Sequence, residues 1–306
     1  AKRAALKQAA RGMHAGRAGT RLEPAPIPAA PFFGVKKIDR IPFAELYRYI
    51  DLNTLYRLHW GAKNAKGEEW DRLVKEEFEP RLERYKRETI AGGRVRVRAA
   101  YGFWPVLADG NDLVLFDPKE QDREIARFDF PRQADGELLC LSDYFRGRDG
   151  ASSEKDVVAL SIVSVGDELL EESERLMKGG DYSEGYFLHG FGVRLAEAAA
   201  EYVHRRIRKE LGIGGNQGLR YSWGYPAIPD HRHHEIVFDL LPAREKLGMD
   251  LTEGWSLVPE LGPAAIGLHH PEAKYFSAVD ADDFRGTSSV GNRESGIAKP
   301  VVEARA

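Results

Sequence analysis

The chain runs to 306 residues, 42% hydrophobic and 30% charged, with a net charge of −3. That near-neutral balance gives no polyanion-binding signal, so nucleic acid is not an expected partner. No apolar run approaches the ~20 residues that span a bilayer, so a membrane is not expected either. The only cysteine, Cys140, excludes an intrachain disulfide and argues against a cysteine-rich zinc site. A cytoplasmic setting fits this composition.

Residues 1–22 carry Lys2, Arg3, Lys7, Arg11, Arg17 and Arg21 and no acid. Together with the proline-rich stretch after them, they predict a linker over 1–30 from an upstream domain in preference to an organellar transit peptide. Ile41–Ile50 reads as a short helix, with Phe43, Leu46, Tyr47 and Ile50 at helical spacing. Asn53 or Thr54 is placed to cap a second helix running to Trp60. Gly67–Ile90 is a charged amphipathic helix with Trp70, Leu73, Val74, Phe78, Leu82 and Tyr85 on one face. Pro80 must kink or divide it. At Val95 the period changes to two, and the turn Asp109-Gly-Asn-Asp112 leads to Leu113–Phe116 as the second strand of a hairpin. Cys140 lies in a strand-like apolar stretch and reads as a buried, inert thiol. Asp156–Val165 is a buried strand. Helices are expected over Asp167–Lys178, Tyr186–Leu211 and Ile236–Leu247, and short strands over Ala264–His270 and Tyr275–Val279. Residues 284–306 read as a loose tail. Hairpins and long helices without βαβ alternation indicate an α+β fold with a mainly antiparallel sheet.

Gly212–Gly218 is rich in glycine, but it comes after a helix and precedes none, the reverse of a dinucleotide-binding loop. These glycines read as the end of the long helix. Glu201 and His204 have the Glu-x-x-His spacing of carboxylate-bridged metal sites, with His231, His233 and His234 as further candidate ligands. Such sites need a second copy of the motif, which the chain lacks, so no metal is expected. Glu197 lies one turn before Glu201 on a similar face. No local context supports a Ser-His-Asp or Cys-His arrangement.

The most informative stretch is Arg220-Tyr-Ser-Trp-Gly-Tyr-Pro-Ala-Ile-Pro-Asp230. It joins one fixed cation to three aromatics, a glycine free in φ and two prolines that stiffen the segment after the glycine. It suits a ligand that is anionic at one end and flat at the other. A buried arginine bridging loop carbonyls under an aromatic cluster explains the same residues equally well.

Arg-x-x-x-Gly-Tyr-Pro followed by Ala-x-Pro-Asp resembles the signature of the activation domain of cobalamin-dependent methionine synthase. Further segments are similar in the same order. They include Pro31–Val35, Tyr49–Asp51, the Tyr101–Phe116 hairpin, Leu141–Phe145, Arg194–His204, Leu251–Glu253, Val258–Glu260 and His270–Phe276. The resemblance spans roughly residues 31–279. It implies a curved, mainly antiparallel sheet with flanking long helices, as a domain over 31–283 that binds S-adenosylmethionine. Such a domain supports reductive methylation of cob(II)alamin to methylcobalamin. An electron comes from flavodoxin or an equivalent donor, and cobalamin is held on a preceding domain of the same polypeptide. The Asp-x-His-x-x-Gly motif that holds cobalamin in that family is absent here.

The resemblance implies that Arg220 clamps the ligand's carboxylate and that Tyr225 lies by the sulfonium. Gly224 and the backbone at Tyr221 would approach the adenine. Asp51 would meet the amino group or ribose, with Glu197 and His231 completing the site and no catalytic side chain required. The chain departs from the family at Gly214, where the pattern carries an acidic contact. A stand-alone reactivator of a separate corrinoid protein and a non-catalytic docking module are the alternative readings.

Overall fold

Strand β2, Arg98–Asp109, is buried on both faces from Ala99 to Ala108. A strand with no wet face demands a packed layer on each side of its sheet. The computed structural model describes residues 22–91, 95–120, 122–148, 154–215 and 217–279. Most of the expected linker and the expected tail lie outside the described residues. Residues 22–30 run extended against the domain, where Ala25 is buried and the Glu23 carbonyl meets His270 Nε2 at 3.0 Å.

On one edge β2 pairs with β5 (Asp156–Ser164). Its other edge is shared by β1 (Gly34–Ile38) and β3 (Asp112–Phe116). β4 (Glu124–Asp129) extends the sheet beyond β3, while β9 (Ala264–Leu268) and then β6 (Leu219–Ser222) extend it beyond β5. Every pairing is antiparallel, and β6 is an edge strand. Asp250–Leu251 (β7) and Leu257–Val258 (β8) form a separate ribbon. The α+β expectation and the hairpin across Gly110-Asn111 are borne out.

Alternate residues of the sheet feed two cores. Ala99, Tyr101, Phe103 and Ala159 face Phe191, Leu195, Ala199 and Val203 of the long helix. Ala100, Trp104, Phe128, Leu160 and Ile266 face Leu141, Phe238 and Leu241 in the opposite layer. Each large apolar side chain so buried contributes about 1.5–3 kcal/mol.

The helical layer holds α1 (Phe43–Tyr47), α2 (Leu52–Thr54, running into a π-helical turn over Leu55–His59), α3 (Gly67–Leu73), α4 (Glu79–Ala91), α5 (Glu168–Lys178) and α6 (Tyr182–Glu210). The 29-residue α6 is about 43 Å long. Ala196, Ala198, Ala199 and Ala200 keep its buried side thin enough to lie close over the sheet. Opposite lie α7 (His233–Leu240) and α8 (Ala243–Leu247).

Several local expectations need correction. The cap of α2 is Asp51, whose carboxylate accepts from Thr54 N–H at 2.9 Å, so neither Asn53 nor Thr54 caps it. Ahead of Pro80, α3 continues through a π-helical turn, Val74–Phe78, into α4. That wider turn accommodates a ring that cannot donate to the preceding turn. The helix expected over Ile236–Leu247 begins earlier and divides at Leu241-Pro242 for the same reason. Cys140 lies in no strand. It precedes a short 3-10 turn, Leu141–Tyr144, with its thiol fully buried and its pKa pushed up by that burial. Tyr275–Val279 joins no ladder among the described residues. Its Ala278 N–H donates to the Pro226 carbonyl instead, at 3.0 Å.

Candidate functional site

Edge strand β6 decides which way the signature residues point. Arg220 faces α6, where its Nη2 donates to Glu197 Oε2 at 3.1 Å. Tyr221 alternates to the opposite core, 3% exposed, with its hydroxyl donating to the Lys274 carbonyl at 2.7 Å. Burial raises that phenol's pKa strongly. Only the backbone of Tyr221 is therefore left for a ligand. Trp223 is buried as well, its Nε1 bonded to His233 Nδ1 at 3.2 Å. Two of the three aromatics are thus the packing cluster that sequence alone allowed.

Gly224 then turns the chain with φ +84°, and its N–H donates to the Ile228 carbonyl at 3.0 Å. A Cβ here would stand 2.4 Å from His231 Nε2, so His231 packs against the bare glycine backbone. The turn throws Tyr225 outward, 60% exposed, the third aromatic and the one left available. Its phenol is raised by burial of the hydroxyl end and by Glu197, against the charges of Arg220 and Arg194. His231 is held below the usual imidazole range by burial, which Asp230 partly opposes.

The Arg220–Glu197 pair is only partly covered, with side chains 17% and 30% exposed. Beyond it Arg220 has a weak contact to Ser222 Oγ at 3.4 Å. Asp51 opens α2 on the far side. Asp51 is exposed; partial desolvation favours the neutral acid, but bonds from Thr54 and the charge of Arg194 outweigh this and hold it below the usual carboxylate range. The charge of Arg194 thus acts on both Asp51 and Tyr225.

The structure thus brings Glu197 to Arg220 and His231 to Gly224, with Tyr225 next in the chain. Among the described residues it shows no direct contact between Asp51 and this group. Two neighbours escaped the sequence reading as site residues. Tyr275, 57% exposed, donates its hydroxyl to the Arg220 carbonyl at 3.2 Å, and its ring lies tilted against Tyr221 with centroids 5.3 Å apart. Its signal is the His270–Phe276 segment of the resemblance, although Tyr275–Val279 reads as a strand. Arg194 opens the Arg194–His204 segment of the resemblance and lies at helical spacing from Glu197, but neither marks it as a site residue.

Glu201 is turned to other partners. Burial opposes its charge, but His204 and Arg205 bring it down to about 2, with Arg205 Nε at 2.6 Å. Glu201 and His204 sit 3.7 Å apart. Among the described residues no group of three acids, histidines or cysteines is placed to hold a metal. The glycine-rich stretch ends α6, as expected: Gly212 has φ +68° and Ile213 N–H returns to the Arg208 carbonyl at 3.1 Å.

The site lies open to solvent, with Tyr225 and Tyr275 exposed beside the half-covered Arg220–Glu197 pair. Two distinct cavities lie elsewhere: about 260 Å³ beside Arg98, Ser164 and Glu168, and about 340 Å³ beside Ile41, Phe43 and Val97. Paired charge and exposed aromatic rings on an open surface suit a charged, flat ligand whose reactive end is offered to something outside. No helix among the described residues is long and apolar enough to cross a membrane.

Comparison with known proteins agrees with this architecture. The methionine synthases of Mycobacterium tuberculosis and Mycobacterium leprae are each 34% identical to the chain over 278 residues. Those matches cover 82% of the chain and 23% of the relatives' length. The chain thus spans about a quarter of those proteins. A solved structure described as the MetH reactivation domain bound to AdoHcy superposes with a TM-score of 0.71 at 22% identity. The match covers 89% of this chain and 88% of that one, which establishes a common fold. Residues 38–284 match the family model for the activation domain of vitamin B12 dependent methionine synthase, and the chain belongs to that family.

Proposed function

We propose that this chain binds S-adenosylmethionine on the shelf formed by Asp51, Glu197, Arg220, Gly224, Tyr225 and His231. There it presents the methyl group for reactivation of cobalamin in a methionine synthase. The observation that carries this is the half-covered Arg220–Glu197 pair beside the outward-turned Tyr225. The family match and the AdoHcy named for the solved relative support it.

The residues fit the group. Arg220 is fixed in direction by Glu197 and has donors left for a carboxylate. Glu197 and the ionised Asp51 are acceptors for an ammonium or ribose hydroxyl. Gly224 lets the ligand's flat end approach backbone that a side chain would cover. Tyr225 keeps its proton and offers a neutral ring face, which favours a cation beside it. His231, held neutral, backs the glycine without adding a charge. The bound ligand supplies an electrophilic methyl on a sulfonium. The protein's part is position and orientation, and no side chain acts as acid, base or nucleophile. Cobalamin belongs to another domain of the same polypeptide, the electron donor is flavodoxin or an equivalent, and the setting is cytoplasmic.

Calorimetric titration with S-adenosylmethionine tests the reading. The chain binds it, and Arg220→Ala weakens binding about 30- to 100-fold, the ~2–3 kcal/mol of a desolvated charge-assisted contact. No binding by the unsubstituted chain rejects the proposal.

A further inference from the structure

A second arginine stands beside this shelf. Arg194 lies one turn before Glu197 on α6, and among the described residues its buried Nε has no hydrogen-bond partner. The carboxylates around it are already engaged: Glu197 by Arg220, Glu201 by Arg205 and Asp51 by Thr54. Four residues earlier, Gly190 packs so closely on the end of the π-helical turn after α2 that an added Cβ would lie 2.7 Å from His59 Cβ. This face of α6 is therefore closed against the segment that carries Asp51. The charge of Arg194 is felt by Asp51 and His59 on that side and by Tyr225 on the other.

With Arg220 and Glu197 cancelling, Arg194 balances Asp51, and the shelf is close to neutral. Without Arg194 it would carry one net negative charge. S-adenosylmethionine and S-adenosylhomocysteine differ by one methyl and one positive charge on sulfur. A site of this shape distinguishes them mainly through its own charge.

We propose that Arg194 is a specificity-determining residue that restrains the affinity for the sulfonium relative to its demethylated thioether. It does so through charge, without bonding the ligand. The inference rests on the proposed S-adenosylmethionine site. Its consequence is that the donor is held no more tightly than its spent form by the net charge of the shelf, which leaves selection to the ring of Tyr225 beside the sulfonium.

The test is titration of the full chain and of Arg194→Gln and Arg194→Lys with each ligand in low salt. In Arg194→Gln, S-adenosylmethionine binds about tenfold tighter while S-adenosylhomocysteine changes by less than about twofold. Arg194→Lys keeps the original ratio, and added salt shrinks the difference between the variants. An equal change for both ligands assigns Arg194 a structural role and overturns the inference, as does an unchanged or lowered preference for the sulfonium. If the unsubstituted chain binds neither ligand, the functional reading falls and takes this inference with it. If it binds both and the ratio is unmoved in Arg194→Gln, only the inference falls. A matching thermal midpoint for the two variants shows that the comparison is between folded proteins.

Discussion

Two arginines in this molecule occupy comparable depths and do opposite work. Arg132, 8% exposed, spends its donors inside the protein. It forks onto Asp143 at 2.6 and 2.7 Å, reaches the Leu138 carbonyl at 2.7 Å and the Asn111 side chain at 2.9 Å. Asp143 also accepts from Cys140 N–H at 2.8 Å, so the clamp fastens the 3-10 turn to the β2–β3 hairpin loop. Arg220, 17% exposed, has one good bond to Glu197 and one long contact. A saturated guanidinium is a structural part, whereas an unsaturated one beside exposed aromatics keeps donors for the ligand proposed above.

The largest expected effect breaks the clamp. Arg132→Ala leaves the Asp143 carboxylate buried without its cation and lowers unfolding free energy by about 3–5 kcal/mol, read as a shifted urea midpoint. Arg220→Ala moves that midpoint by less than about 1 kcal/mol while losing most ligand affinity. If the two variants lose stability equally, the distinction between them is wrong.

The same contrast recurs between two histidines in one turn. His234 is 3% exposed and its Nδ1 meets the Trp255 carbonyl at 2.7 Å, whereas His231 borders the shelf beside Gly224. Burial is the main cause that pushes His234 down to about 4 from the ordinary 6.5. Linkage fixes the sign. The unfolded chain takes up a proton near pH 6.5 and the folded one only near pH 4, so the neutral histidine's contribution is complete above pH 6.5. It is lost as pH falls through that window, up to about 3 kcal/mol. Denaturant titrations at pH 7, 5.5 and 4 should show the decline. A His234→Gln variant that retains folding should show it reduced, and an undiminished slope would refute the assignment. Glu201, brought down to about 2, acts in a separate window below pH 4.5.

Legibility in the sequence divides along the same line. The hairpin, the long helices and the buried strand announce themselves by period and turn chemistry, because one face of each must be apolar wherever it packs. The signature loop was legible as a unit, yet not residue by residue. Tyr221, Trp223 and Tyr225 look equivalent in a line of letters. Strand alternation and one glycine turn send two of them into the core and the third to the surface. Arg194 and Tyr275 lie in segments of the resemblance, yet no spacing rule links either to Arg220, and only the fold shows that Tyr275 reaches the Arg220 carbonyl. Asp51 was noticed through resemblance alone, although an aspartate directly before a helix is a capping signal in its own right.

The smallest expected effect sharpens the boundary between clamp and shelf at Gly224. An alanine here meets two obstacles. The backbone at φ +84° is a conformation that side chains rarely adopt, costing about 1–2 kcal/mol. The new Cβ would also sit 2.4 Å from His231 Nε2, so the imidazole must move. The first cost is intrinsic to the turn, and the second depends on a neighbour that can be removed. Gly224→Ala should therefore lower stability by about 1–3 kcal/mol and weaken S-adenosylmethionine binding, since Tyr225 hangs from the same turn. In Gly224→Ala/His231→Ala the clash is gone while the strain persists, so stability should recover only in part. Full recovery would show that the turn tolerates a side chain and that packing against His231 alone demands glycine. No recovery would place the whole requirement in the backbone, leaving His231 as a lining residue whose own substitution is read in affinity and not in unfolding.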